Sequence, residues 1–62
     1  MVSNKKIYVA KYATDKINSI KENPLMANWI KTKSINTIKN ALDSYYDEFI
    51  TIDEAMIQIA NA

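Results

Sequence analysis

The sequence predicts an all-α protein, one small bundle of three or four short helices spanning residues 1–62. Three observations carry this. Apolar residues recur at spacings of three and four along most of the chain. Glycine is entirely absent, which disfavours tight hairpins and left-handed helix caps. A capping signature followed by an apolar stripe marks the start of a last helix.

In the N-terminal segment KKIYVAKYATDKINSIKEN, Val9, Ala13, Ile17 and Ile20 form one helical stripe. The run KIYVAKY also has the β-branched and aromatic make-up of a strand, with Thr14 then capping a short helix. A lone strand has nothing to pair with except a copy of itself across a dimer. Helix is therefore the expectation for a monomer, and an intermolecular strand is the alternative.

In PLMANWIKTK, Pro24 ends whatever precedes it and suits a first helical turn. Leu25, Met26, Trp29 and Ile30 cluster on a different side from the next series, Ile35, Ile38, Leu42, Tyr45 and Phe49. This break of phase near Thr32–Ser34 predicts two helices meeting at an angle, the second capped by Ser34. Trp29 is expected in the core beside Met26 and Ile30, and Tyr45 shares a core stripe with Leu42 and Phe49. Tyr46 and Ile57 fall off these stripes and are expected at the surface, and Leu25 is expected to stay partly exposed.

The C-terminal stretch FITIDEAMIQIANA carries Thr51 followed three residues later by Glu54, a capping box, with Asp53 also favourable in the first turn. Ile50 stands where a hydrophobic staple would reach toward Ala55. Ile52, Ala55, Met56, Ile59 and Ala60 share one face, which predicts a helix from Ile52 to Ala60.

Composition narrows the function. The chain has no His and no Cys, so the usual bases, nucleophiles and transition-metal ligands are missing. No catalytic site, cofactor or metal is expected. Every cation is a lysine, and the heavy use of Ile, Asn, Lys and Tyr fits AT-rich coding, as in a low-GC bacterium or its phage. With no Cys and no apolar run of about 20 residues, the expectation is a cytoplasmic protein that does not enter membranes. Charge is split: residues 1–42 carry +6 and residues 43–62 carry −5. Either the halves face each other, across the fold or across a homodimer, or the lysine-rich part meets an anionic partner.

Two stretches resemble known motifs. DSYYDEFITIDE is similar to a calcium-binding EF-hand loop at Asp43, Asp47, Ile50 and Glu54. It departs at Tyr45, which supplies no carboxylate, and at Glu48, where the loop needs glycine for a positive φ. A turn between two helices accounts for the same residues. TKSINTIKNALDSYY resembles the second helix of the ribbon-helix-helix family of dimeric DNA-binding regulators. That resemblance implies that KKIYVAKYA is the ribbon, with Lys6, Tyr8 and Ala10 outward and Ile7 and Val9 inward. Pro24 inside the first helix, and the absence of Arg for a bidentate guanine contact, depart from that family.

The leading expectation is a non-enzymatic regulatory or inhibitory protein that grips a protein partner through a helical surface. Trp29, Tyr46, Lys31 and Lys33 are the residues expected to make that contact, because aromatics dominate interface hot spots. In the alternative, Lys5, Lys6, Tyr8 and Lys11 would meet DNA, within a basic ridge continued by Lys16 and Lys21.

Overall fold

Residues 4–62, which the computed structural model describes, form three helices: α1, Asn4–Glu22; α2, Asn28–Tyr46; and α3, Ile52–Ala60. No strand occurs among them. Connections 23–27 and 47–51 are short enough to send each helix back along the one before it. The result is an up-down-up bundle of 37 × 18 × 15 Å in which each helix packs on both others. Residues 1–3 lie outside the described residues.

Helix α1 is built on the expected stripe, with Val9, Ala13 and Ile20 buried and Ile17 packed against them. Residues 6–12 are helical throughout, so the ribbon implied by the ribbon-helix-helix resemblance does not form. The physical reason is the stripe itself. A period near 3.6 sustained from Val9 to Ile20 gives a helix a face to bury, whereas a strand here would have no partner.

Asn23, restricted by the following Pro24, closes α1. Its amide donates to Ile20 O at 3.2 Å, and its Oδ1 accepts from Leu25 N at 2.9 Å, an Asx-turn. Pro24 thus sits in the turn rather than in a first helical turn, and Ala27 is the N-cap of α2 without a side-chain cap.

Helix α2 then runs unbroken for 19 residues, and the predicted angle near Thr32–Ser34 is absent; Ser34 is mid-helix, not a cap. Residues 28–46 contain neither proline nor glycine, so every N–H can join the helical ladder. Breaking that ladder to turn Trp29 inward would forfeit hydrogen bonds. The chain keeps the ladder and leaves Trp29 outside.

The core is thin and evenly shared. Val9, Ile38 and Ile59 are its largest fully buried side chains, one from each helix. Ala13, Ala41 and Ala55, again one per helix, are also buried and let the three backbones approach closely. Ala41 was not anticipated; the apolar count had favoured its neighbour Leu42, which is half-buried.

The end of α2 corrects two expectations at once. Glu48 N donates to Tyr45 O at 3.0 Å and Phe49 N to Ser44 O at 2.9 Å, the paired bonds of a Schellman cap. Its left-handed residue is Glu48, at φ 63°, in a chain with no glycine to offer. This reversal takes Phe49 out of the helical register, so it does not continue the Tyr45 stripe and stands 82% exposed. Because Ser44 lies where such a cap usually offers an apolar contact, nothing draws Phe49 back. A side chain with a Cβ is strained at this φ, so Glu48→Gly should stabilise the fold by about 0.5–1 kcal/mol despite glycine's entropy. Thermal melting followed by circular dichroism would show this as a rise of several degrees.

Helix α3 begins and ends where the sequence placed it. Thr51 Oγ1 accepts from Glu54 N at 3.2 Å, and Ile50 is packed against the core that includes Ala55. The Thr51 hydroxyl also lies 3.4 Å from Glu54 Oε1. Thr51→Ala is expected to cost about 1 kcal/mol, read in urea titration. The EF-hand-like dodecamer is therefore divided: its first four residues end α2, its middle is the turn, and Glu54 serves a cap.

Candidate functional site

A folded chain this small should hide its large apolar groups, and this one does not. Among the described residues eight large apolar side chains are exposed, while four buried ones exceed alanine in size. The surface, 4598 Å², is larger than the roughly 4,100 Å² of a compact monomer of this mass. Leu25 is 93% exposed in the α1–α2 turn, and Trp29, expected in the core, is 70% exposed at the start of α2.

Helical geometry explains Trp29. Nine residues separate it from Ile38, and at about 100° per residue that is half a revolution beyond two full turns. Trp29 therefore points away from the core. Lys33, one turn on, shares its face and is exposed. Lys31 lies on the inner side, half-buried, and its Nζ donates to Lys21 O at 2.9 Å. An ammonium on the last-turn carbonyls of α1 complements that helix's negative end. Lys31 thus ties α1 to α2.

Tyr46 is 17 positions beyond Trp29, about 25 Å along the axis, so the four predicted partner-binding residues do not form one patch. Its ring leans on Tyr45, centroids 6.0 Å apart, and lines an apolar groove of about 350 Å³ with Lys6, Ile7 and Ala10. Ile57 is exposed as expected and Leu25 more fully than expected, and Ile7 and Phe49 are exposed without a sequence expectation of it. For Phe49 the sequence offers little signal, because the left-handed residue before it is Glu48, ordinarily a helix former, and not a glycine.

The alternative set is drawn only partly together: Lys5, Tyr8 and Lys11, three positions apart and all exposed, fall within about 120° of α1, and Lys6 lies off that side. Lys6, Lys11, Lys16 and Lys21 recur every five residues, and each step turns the side chain by about 140°. They spiral around α1 instead of forming a ridge. Tyr8 and Lys11 line a shallow groove of about 540 Å³ with Tyr12, Asp15, Lys16 and Ser19, where the Asp15 carboxylate would oppose a phosphate.

Leaving Lys6 aside, no lysine–carboxylate ion pair forms among the described residues. The residues Asp43, Asp47, Glu48, Asp53 and Glu54 instead gather at the end of the bundle where α2 stops and α3 starts. Among the described residues no group of His, Cys, Asp or Glu could hold a metal ion, and no helix is long and apolar enough to cross a membrane. No family model, curated protein or solved structure matches this chain.

Proposed function

We propose that this chain is a small non-enzymatic regulatory or inhibitory module that works by docking onto a protein through the outer face of α2 and the α1–α2 turn. The observation that carries this reading is the exposure of Trp29 and Leu25, four positions apart at one end of a helix that could have turned aside and did not. Leaving two such side chains in water forgoes burial energy of about 1.5–3 kcal/mol each, which a partner's surface would recover. Lys33 beside Trp29 adds a cation to the rim, and favours an acidic counter-surface.

Affinity capture after nuclease treatment tests it, comparing the native chain with Trp29→Ala. One stoichiometric protein retained by the first and lost by the second is the expected outcome. Retention on duplex DNA that disappears with rising salt, together with no protein captured, would replace this reading with a nucleic-acid one.

A further inference from the structure

The outer face of α2 has an order that its own helix does not explain. Trp29, Lys33, Asn36, Asn40, Asp43 and Asp47 follow one another at spacings of four, three, four, three and four, and all six are exposed. An average spacing of 3.5 keeps them on one line down the helix, the seam along which two helices pair. The line is also its own reverse about position 38: read backwards, the spacings are identical. Position by position, the reversed line sets Lys33 against Asp43 and Asn36 against Asn40.

The charges on that line are reversed with respect to the helix dipole. Acids belong near an N-terminus and bases near a C-terminus. Helix α2 has no acid in its first turn and no base in its last. It carries Lys33 in its N-terminal half, Asp43 in its last turn and Asp47 at the C-cap. Among the described residues neither the Lys33 ammonium nor the Asp43 carboxylate has an ion-pair partner.

We infer that this face pairs with the same face of a second copy, α2 against α2, antiparallel about a two-fold axis opposite Ile38. This rests on the docking reading above and names its partner. In such a pair Lys33 of each copy meets Asp43 of the other, and Asn36 meets Asn40 of the other. Trp29 reaches Asp47 of the second copy, beside which Phe49 is exposed. Each helix's N-terminal half then lies against the carboxylates it lacks, and each C-terminal half against a lysine. A symmetric interface of this kind closes at two copies. Its seam is polar apart from Trp29, so the dimer is weak and falls apart in salt.

Sedimentation equilibrium up to millimolar chain, with emission of the single tryptophan followed alongside, decides the matter. The native chain should dimerise, with a blue shift that tracks the dimer and fades with salt. Lys33→Asp and Asp43→Lys alone should each weaken it about tenfold or more, since two attractions become two repulsions. The double variant, Lys33→Asp with Asp43→Lys, should restore it. Each single change gives α2 the sign its dipole prefers, so helix content measured by circular dichroism should hold and loss of dimer cannot be blamed on unfolding. A native chain that stays monomeric, or a double variant that fails to recover, overturns the inference. Loss of dimerisation alongside Trp29-dependent capture of a different protein would end this inference and leave the docking reading standing.

Discussion

Ile38→Ala is expected to remove roughly half of the fold's stability at 25 °C. Ile38 is fully buried, the single large side chain that α2 contributes to the centre of the core. Truncating a buried isoleucine costs about 2–5 kcal/mol, from lost transfer energy plus the cavity left behind. A chain of 62 residues has a total stability of roughly 3–9 kcal/mol to draw on. Neighbours cannot easily close the gap, because Ala13, Ala41 and Ala55 already hold the helices close and have nothing further to offer. A urea midpoint reduced to about half that of the native chain is the result to look for. A variant that melts like the native chain would mean that the three helices do not meet at Ile38.

Trp29→Ala should do the opposite, sparing the fold and weakening the proposed docking. Trp29 is largely in water, and alanine is the better helix former, so stability should change by no more than about 0.5 kcal/mol. Binding should fall steeply. A large aromatic side chain that anchors an interface is worth about 2 kcal/mol or more, a loss of some thirtyfold in affinity. Titration of native and variant chain against the captured partner, or against itself in sedimentation, measures it. Unchanged affinity with an unchanged melting curve would remove Trp29 from the docking surface and the proposed function with it. The two substitutions form a pair, because both lie on α2, half a revolution apart.

The same contrast accounts for the difference between the angle expected in α2 and the straight helix found. The sequence signal was sound: Trp29 and Ile30 do lie out of phase with Ile35, Ile38 and Leu42. The inference drawn from it, a bend, assumed that every large apolar residue seeks the core. Once a segment free of proline and glycine holds its hydrogen-bond ladder, an out-of-phase tryptophan is a surface tryptophan. Phe49 was misplaced for a related reason. Counting by fours treats the chain as helical beyond Asp47, whereas the left-handed Glu48 ends that count.

Candidate site residues were legible as types and not as a surface. Sequence could nominate Trp29, Tyr46, Lys31 and Lys33, but Lys31 is committed to Lys21 O and Tyr46 lies at the far end of the bundle. The five lysines of α1 looked like a ridge on paper and wind around the helix in space. Spacings of four and three keep residues together on a helix face; a spacing of five scatters them.

By itself, the sequence determined the helical character of the chain, the face α1 buries and the start of α3 at Thr51. These are local properties, written in apolar periods and capping hydroxyls within a few residues of each other. Tertiary structure alone decided that α2 stays straight, that three alanines set the helix spacing and that the acidic residues gather where α2 stops and α3 starts. Those outcomes depend on distances between residues far apart in the chain. A helix's neighbours, not its own pattern, choose which of its faces is left for something else.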